Sequence, residues 1–493
     1  MRAIRGASVP VLLLWASAVW AQPGPNEQAR GLLEDGRAYL KGGQTKQALD
    51  NFNTIVSGFA GTDSVDDALL ELGRWQMDVE HNVDQARAAF EDVTKRFPQS
   101  DGAPGAYYYL GRLALARATT PAELDDALAQ FVRVQRLYPG SEWVPRALHG
   151  CALVHRKAGR LADAVESARR VALEYPNSEA APEAYFEAGH ALALMGEPRP
   201  AMEELQQIRN RFPDSEWAPR ALDRITALYR LYGGTAPAFA ADAAYSLGAG
   251  DVLKDVRALL VTPDGQTWIA SDKVKGVVPF GRDGKMGPSL TGVDLRSLST
   301  GPRGELVVAA KLAVRMGPRD IKSFAIPGDK PGVPEPLERI EAALLTPGGS
   351  VLVADGKRRK VFRFDGKFQF KDAFPDAKER EVTRMALDPD GGLVFLDRDA
   401  RTVTTYDETG KPLRTLAARG AGYELRKPVD VAVDAFRQTY VADQEGGVLV
   451  FSPQGKLLTT LGGGATRPTA VALDSSGAVL VYDDKTEHVV RYR

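Results

Sequence analysis

Apolar and polar residues alternate along the chain in two different ways. Up to about Tyr232, apolar and small residues recur every three or four positions, a spacing that predicts amphipathic helices. After a segment rich in Gly, Ala and Pro that begins at Gly233, short runs alternate between apolar and polar residues. These runs are bounded by turns such as Pro-Asp-Gly, which predicts strands. We therefore expect a multidomain protein, all-α in its first half and all-β in its second.

The predicted helices are organised in repeats of about 40 residues. Each repeat ends with an aromatic residue followed by Pro, any residue and Ser. The Pro ends a helix, and the Ser beyond it is suited to cap the next one. Five units can be aligned, and a last helix at about residues 220–232 takes the place of the capping helix that such arrays need. Clear copies of this step begin at Phe97, Tyr138, Tyr175 and Phe212, and a worn copy begins at Phe59.

These five units resemble the tetratricopeptide repeat, and the resemblance implies a helical solenoid over residues 22–232. The long step between repeats, Tyr-Pro-x-Ser with a later Pro-x-Ala, is similar to a subtype found in envelope proteins of Gram-negative bacteria. Examples are the TolA-binding periplasmic protein and the outer-membrane assembly lipoproteins. What the resemblance implies is a scaffold whose concave face receives partner proteins.

The strand region is also repeated, in six units of about 40 residues with short strands and Asp- or Gly-containing turns. A unit of this size with four strands is typical of one propeller blade. The pattern Asp-Pro-x-Gly, followed by apolar residues and Ala-Asp, resembles the NHL repeat. This resemblance implies a six-bladed β-propeller over residues 243–493. The first turn of each unit is marked by Thr262, Gly301, Thr346, Asp388, Asp434 and Asp474.

The two ends of the propeller are expected to pair. The sixth unit stops at Arg493, directly after its third strand, whereas residues 244–248 have the pattern of an isolated outer strand. We expect strand 244–248 to complete the last blade, because a closed ring leaves no sheet edge unpaired. Residues 233–242 are then the linker between the solenoid and the propeller.

Residues 1–21 have the features of a Sec signal peptide. Arg2 and Arg5 precede an apolar stretch, and Ala21 offers a small residue for cleavage. An uncleaved anchor is the alternative, but the stretch has about 12 apolar residues and a bilayer needs roughly 20. Cys151 is the sole cysteine, so no lipid-carrying cysteine follows the cleavage site. We expect a periplasmic protein that is not a lipoprotein and has no stable membrane span after cleavage.

The local distribution of charge indicates a candidate binding surface, whereas the net charge does not indicate any class of partner. The net charge of −1 over 493 residues offers no reason to expect nucleic acid as a partner. In a propeller, however, the turns that join second to third strands emerge on one face, and here they are basic. We expect this face to attract other envelope proteins, acidic ones among them, or an anionic envelope polymer. The alternative is a set of solvated turn residues offset by Asp399, Glu445 and Glu487. The candidate residues are Lys273, Lys275, Lys357, Arg358, Arg359, Lys360, Arg398, Arg401 and Lys485.

No cofactor, metal or catalytic site is expected. Cys151 and His155 fall on the inner side of a predicted helix, where core packing explains them, and His488 is the single histidine of the propeller. Aspartates recur at the ends of second strands, where such residues usually accept hydrogen bonds from turn amides. A calcium site made of carboxylates stays an open alternative. These aspartates are Asp272, Asp355, Asp397, Asp443 and Asp483.

The leading functional hypothesis is a non-enzymatic periplasmic scaffold in a cell-envelope assembly for division, outer-membrane maintenance, export or motility. It would bind partners through the concave face of the solenoid and the turn face of the propeller, by preorganised rigid surfaces. One alternative is a module that binds peptidoglycan or lipopolysaccharide. A less favoured alternative is a lyase or lactonase of the NHL kind.

Overall fold

The computed structural model describes residues 23–235, 239–242, 245, 247, 254–291, 294–302, 304–316, 320–328, 330, 333–375 and 380–493. These residues form 11 α-helices followed by 27 β-strands, and the strands build a six-bladed propeller. The predicted fold class is therefore confirmed. The predicted signal peptide lies outside the described residues. Among the described helices, none combines the length and the apolarity needed to cross a membrane.

The chain forms two compact units, one that ends at Leu110 and one that begins at Gly111. The boundary falls inside a helix, so the later helices belong to the same unit as the propeller. The division into a signal peptide, a solenoid of residues 22–232, a linker of residues 233–242 and a propeller of residues 243–493 stays a prediction.

The helices pair through close contacts between glycine and a large side chain. In the first unit, a Cβ placed on Gly36 would lie 2.5 Å from the ring of Phe52, and Gly73 approaches Phe90 equally closely. Only glycine allows this approach, so the two helices of a repeat cross closely at that point. The helices are α1 (Pro25–Lys41), α2 (Thr45–Gly58), α3 (Val65–Asp78), α4 (Val83–Arg96), α5 (Gly102–Arg117), α6 (Pro121–Leu137), α7 (Val144–Lys157), α8 (Leu161–Glu174), α9 (Ala181–Met195), α10 (Pro198–Arg211) and α11 (Trp217–Tyr232).

The aromatic-Pro-x-Ser step ends helices as predicted, but its Ser acts differently. The helices α4, α6, α8 and α10 each end directly before the aromatic residue. The hydroxyl groups of Ser100 and Ser215 donate back to the carbonyls of Phe97 and Phe212, at 2.9 and 2.8 Å. These two Ser residues therefore close the turn after their own repeat and do not cap the next helix.

Five blades have four antiparallel strands in sequence order, and the sixth has three. Blades one to three are β1–β4 (Val256–Val261, Thr267–Ser271, Gly276–Phe280, Leu290–Thr291), β5–β8 (Leu295–Thr300, Leu306–Ala310, Ala313–Met316, Asp320–Lys322) and β11–β14 (Ile340–Leu345, Val351–Asp355, Lys360–Phe364, Phe370–Ala373). Blades four to six are β15–β18 (Val382–Leu387, Leu393–Asp397, Thr402–Tyr406, Pro412–Leu416), β21–β24 (Pro428–Val433, Thr439–Asp443, Gly447–Phe451, Leu457–Leu461) and β25–β27 (Pro468–Leu473, Val479–Asp483, His488–Tyr492). Two small hairpins lie between blades: β9 (Ala325–Pro327) with β10 (Pro334–Pro336), and β19 (Arg419–Gly420) with β20 (Tyr423–Glu424).

The ring is closed, because each first strand contacts the first strand of the next blade and β25 contacts β1. The outer edge of blade six is paired by residues that precede the propeller. The backbones of Ala240 and Arg493 exchange two hydrogen bonds of 3.0 Å, and the N–H of Asp242 donates to Arg491 at 2.7 Å. The observed partner thus lies a few residues before the predicted strand 244–248, of which Tyr245 and Leu247 are described and Ala244, Ser246 and Gly248 lie outside the described residues.

Within the unit that begins at Gly111, helices pack directly against the propeller. The contacts include the turns that join the first to the second strand in blades four, five and six, which we call the helix-facing turns (residues 388–392, 434–438 and 474–478). Phe436 of blade five is 1% exposed and belongs to an apolar cluster whose other buried members come from α8 to α11. An aromatic residue at a turn is therefore part of the helical core.

Candidate binding site at the mouth of the propeller

All six first strands contain a β-bulge at their second residue. A bulge leaves one residue out of the ladder and redirects its side chain. Here all six redirected residues line one cavity of about 590 Å³ at the central channel. The six bulge residues are Arg257, Arg296, Glu341, Thr383, Val429 and Thr469.

The cavity, which we call the mouth, opens on the face of the turns between second and third strands. Its lining comes from the starts of first strands and from the residues that follow second strands. Arginine is its most frequent residue type. The lining includes five arginines, Arg257, Arg296, Arg339, Arg384 and Arg398, and four carboxylates, Asp255, Asp272, Glu341 and Asp484.

Arg384, which lines the mouth, connects two blades of the ring. Its Nη2 donates to the carbonyl of Arg257 at 2.7 Å, which joins blade four to blade one across the ring, and its Nη1 donates to the carbonyl of Thr383 at 2.8 Å. Its Nε lies 3.3 Å from Asp430, a buried carboxylate. Burial raises the pKa of Asp430 to about 6, although Arg384 and two backbone N–H groups favour the charged form. Arg384 is therefore a fixed structural cation.

Glu381 forms ion pairs with three arginines on one side of the mouth. It is buried and pairs with Arg339 at 3.3 Å, with Arg359 at 3.4 Å and with Arg398. Burial, and then a hydrogen bond with Asp399, raise the pKa of Glu381, whereas that bond and Arg359 lower the pKa of Asp399. Much of the positive charge here is therefore neutralised within the protein.

The structure places eight of the nine predicted basic residues in turns on the same face as the mouth, and the ninth, Lys360, at the start of β13 on that face. Some of the nine are paired with carboxylates and others are exposed. Lys357 pairs with Glu338, Arg358 with Asp355 and Glu335, Arg359 with Asp399, and Arg398 with Glu381. Lys273, Lys275, Lys360 and Lys485 are exposed, Arg401 is half-buried, and the Nζ of Lys485 donates to the carbonyl of Ala465 at 3.2 Å. The partner-binding role of the nine residues stays a prediction, now centred on the exposed lysines.

The mouth arginines other than Arg398 were not among the predicted site residues. The signal that could have found them is a charged residue second in an otherwise apolar strand, as in Val-Arg-Ala at Arg257 and Leu-Arg-Ser at Arg296. A regular strand gives no reason for that charge, whereas a bulge that turns the residue into the channel does.

Four of the five recurrent aspartates accept hydrogen bonds from turn amides, as expected. Asp443 accepts from four backbone N–H groups, those of Arg426, Lys427, Glu445 and Gly446, at 2.7 to 2.9 Å. Asp355, Asp397 and Asp483 make similar bonds. Among the described residues, no group of three or more His, Cys, Asp or Glu side chains is arranged to hold a metal ion.

Asp272 does not belong to this series. Strand pairing puts Ser271 opposite Val256, in the position that Asp355 has opposite Ile340. Asp272 lies one residue further along and pairs instead with Arg257 at 2.5 Å. Its inclusion in the sequence-based series was wrong by one residue, because the alternation alone does not fix where a strand ends.

Cys151 lies in the helical core, as predicted. The side chain is buried, and its Sγ accepts a hydrogen bond from Nε2 of Gln135 at 3.2 Å. Burial raises the pKa of the thiol to about 11, so it is protonated near neutral pH.

Comparisons with known proteins agree with the two kinds of repeat. The family model of the tetratricopeptide repeat matches residues 67–100 and 183–215. No curated protein sequence matches the chain. Tetratricopeptide arrays and β-propellers are protein-interaction folds, so a scaffold is consistent with this architecture.

Solved structures resemble a little over half of the chain. A catalytically inactive virginiamycin B lyase from Staphylococcus aureus with quinupristin is 14% identical over 52% of this chain and 85% of its own, with a TM-score of 0.39. A streptogramin B lyase is 9% identical over 52% of this chain and 97% of its own, with a TM-score of 0.37. A protein of unknown function from Bacteroides thetaiotaomicron is 11% identical over 52% of this chain and 72% of its own, also with a TM-score of 0.37. Likeness at this level supports no inference about activity.

Proposed function

We propose that the protein is an exported periplasmic scaffold that joins proteins of a cell-envelope assembly and performs no chemistry. The observation that carries the proposal is the docking of α7, α9 and α11 onto the helix-facing turns. A scaffold must hold its binding surfaces at fixed positions, and this docking makes the helices from Gly111 onward and the propeller one compact unit.

The docking contact contains a buried network of charges. Arg156 of α7 pairs with Glu187 of α9 at 2.5 Å and also with Asp390 of blade four. Arg437 of blade five lies 3.1 Å from Asp388 and 3.6 Å from Asp390. Because buried charges are tolerated only in a defined arrangement, this network fixes the helices to the blades.

Apolar and neutral contacts extend the docking along α9 and α11. The ring of His190 packs edge-on against Phe436 with centroids 5.6 Å apart, and burial keeps the pKa of His190 well below its usual value. The amide of Gln454 in blade five donates to the carbonyl of Leu194 at 3.1 Å. Gly477 in blade six approaches Ala227 so closely that an added Cβ would lie 2.7 Å from its methyl group.

This docking restricts where partners bind. The sides of α7, α9 and α11 that carry Arg156, His190 and Ala227 already face the propeller, so this part of the solenoid has an intramolecular occupant. We propose that partners bind the face of the propeller around the mouth and the concave side of the repeats before Leu110. The exposed lysines Lys273, Lys275, Lys360 and Lys485 would attract acidic partners to the propeller face.

In-cell photo-crosslinking tests the scaffold. A crosslinking amino acid at Lys273 or Lys485 is expected to capture a small set of envelope proteins, identified by mass spectrometry. The same amino acid at Arg199, an exposed residue of α10, serves as the matched control. Replacing Lys273, Lys275, Lys360 and Lys485 with Gln should lower the capture and its sensitivity to salt. An identical set from the control position, or capture that the four substitutions leave unchanged, would contradict the proposal. Recovery of peptidoglycan or lipopolysaccharide in place of proteins would favour the polymer-binding alternative.

Export has a test of its own. N-terminal sequencing of the protein from a periplasmic fraction is expected to begin at Gln22. A protein that retains Met1, or that stays with the cytoplasmic fraction, would contradict the assignment.

A further inference from the structure

We propose that the mouth of the propeller binds a small ligand that carries carboxylate or phosphate groups. This inference goes beyond the scaffold role, which requires only protein contacts on the surrounding turns. It rests on two buried hydrogen-bond donors at the mouth, Oγ1 of Thr383 and Nε of Arg296, that form neither a hydrogen bond nor an ion pair with any described residue.

The first donor is the hydroxyl group of Thr383. This bulge residue of blade four is only 4% exposed, lines the mouth and has no hydrogen-bond partner for its Oγ1. Buried hydroxyl groups are nearly always hydrogen-bonded in folded proteins. A ligand oxygen in the mouth would satisfy it.

The second donor is the guanidinium group of Arg296, the bulge residue of blade two. Its Nε is buried without a hydrogen-bond partner, and its Nη2 reaches Asp294 at a long 3.4 Å. The strands that carry Arg296 and Thr383, β5 and β15, contact each other across the ring. One small ligand can therefore reach both donors.

The neighbouring arginines are already engaged. Arg257 pairs with Asp272 at 2.5 Å, Arg339 pairs with Glu341 at 2.7 Å, and the two Nη groups of Arg384 are bonded to carbonyls. Arg296, by contrast, has only the long contact with Asp294 among the described residues and keeps its Nε free. A free N–H donor of a guanidinium group matches an anionic oxygen and repels an amine cation.

The geometry of the donors points to an oxyanion. A guanidinium group presents parallel N–H donors that match two oxygens of a carboxylate or a phosphate, and a hydroxyl group adds a third donor. The volume of about 590 Å³ lies in the range of small-molecule sites. Carboxylates and phosphates share this chemistry, so the experiment has to separate them.

Isothermal titration calorimetry of the mature full-length protein provides the test, with citrate and pyrophosphate as probes and putrescine as a cationic control. We expect one saturable site for at least one of the two anions, weakened by added salt, and no binding of putrescine. Arg296→Gln should weaken binding roughly 10- to 100-fold, since it removes a charged donor. Thr383→Val, which keeps the side-chain shape, should weaken it about 3- to 10-fold. Arg199→Gln, the matched control on α10, should leave the affinity unchanged.

The outcomes separate the sources and the proposals. Binding of citrate alone assigns the site to carboxylates, and binding of pyrophosphate alone assigns it to phosphates. Absence of saturable binding for both anions at millimolar concentration would overturn the inference. So would affinities that stay the same in folded Arg296→Gln and Thr383→Val variants, with folding checked by circular dichroism. Neither negative result bears on protein capture at Lys273 or Lys485, so the scaffold proposal can fail or survive independently.

Discussion

The two faces of the propeller are built from the same repeated blade, but they differ in exposure and in the state of their charged groups. On one face, the helix-facing turns contact α7, α9 and α11, and Asp388, Asp390 and Arg437 in these turns form ion pairs. On the other face, the bulge residues form an open mouth, and the surrounding lysines are exposed. The contrast teaches that the function of a repeat protein lies in the positions where its repeats depart from one another.

The two faces also differ in what their charges contribute to stability. At the helix-facing turns, Arg156, Glu187 and Asp390 are largely removed from water. At the mouth, the pair of Arg257 and Asp272 remains partly exposed. Removing one partner of a buried pair leaves the other charge unpaired and away from water, whereas a partly exposed charge stays hydrated. We therefore expect the same kind of substitution to have unequal effects on the two faces.

The largest effect is expected for Arg156→Met. It leaves Glu187 and Asp390 without their shared cation and should lower the free energy of unfolding by about 3–5 kcal/mol. The matched control is Arg169→Met on α8, which breaks a more exposed pair with Glu204 of α10 and should cost roughly 1 kcal/mol or less. Urea unfolding followed by circular dichroism measures both. Equal costs would mean that the buried network does not hold the docking contact.

The next largest effect on stability is expected when a single methyl group is added where α11 contacts the propeller. Gly477 and Gly349 occupy the same turn position in blades six and three, with φ of +74° and +78°. A Cβ at Gly349 would meet nothing within 4 Å, whereas at Gly477 it would collide with Ala227. Gly349→Ala should therefore cost about 1–2 kcal/mol from backbone strain alone. Gly477→Ala should cost about 2–4 kcal/mol, because overpacking is added. Similar values for the two variants in urea unfolding would argue against close docking of α11.

A pH-dependent effect is expected from Asp434 in the helix-facing turn of blade five. Burial raises the pKa of its carboxyl group to about 6, against the opposing influence of two backbone N–H groups and Arg224. The folded state then binds the proton more tightly than the unfolded state, so this group lowers stability above pH 6 and the penalty disappears as the pH falls towards 4. Relative to Asp434→Asn, the wild-type protein should gain at most about 3 kcal/mol between pH 7 and pH 4. A stability difference that does not change over this range would show that Asp434 is not buried in this way.

The smallest effect on stability is expected at the mouth. Arg257→Gln breaks the partly exposed pair with Asp272 and should cost less than about 1 kcal/mol. The urea midpoint measures this change directly. A cost as large as that of Arg156→Met would make the mouth a structural element and remove the contrast between the two faces.

Much of the architecture could be predicted from the sequence, because stacked repeats must bury equivalent positions in every copy. The spacing of Gly73 and Phe90, and the Asp-Pro-Asp-Gly turn at Asp388, each indicate a local structure that then recurs. The closing strand could be placed only to within a few residues, since several short segments before the propeller fit an edge strand equally well.

The helix contacts with blades four and five, and the mouth, were missed, because both depend on departures from the repeat pattern. In blade five the turn reads Asp-Ala-Phe-Arg-Gln, with Phe436 at a position where blades four and six have Asp390 and Ser476. An apolar ring in a turn indicates that something covers the turn, but not what covers it. The ion pair of Arg358 with Glu335 was equally hidden, because Glu335 reaches it only once the propeller is assembled, whereas Asp399, the partner of Arg359, was expected to offset the basic turns.

Oxidative footprinting of aromatic side chains tests the central claim most directly. Phe436 lies in a turn and is shielded by α9 and α11, whereas Tyr229 on α11 is 61% exposed. Hydroxyl radicals should therefore modify Tyr229 readily and leave Phe436 as unreactive as Phe451 in the core of blade five. Modification of Phe436 at a rate close to that of Tyr229 in the native protein would contradict the docking of the helices onto the propeller.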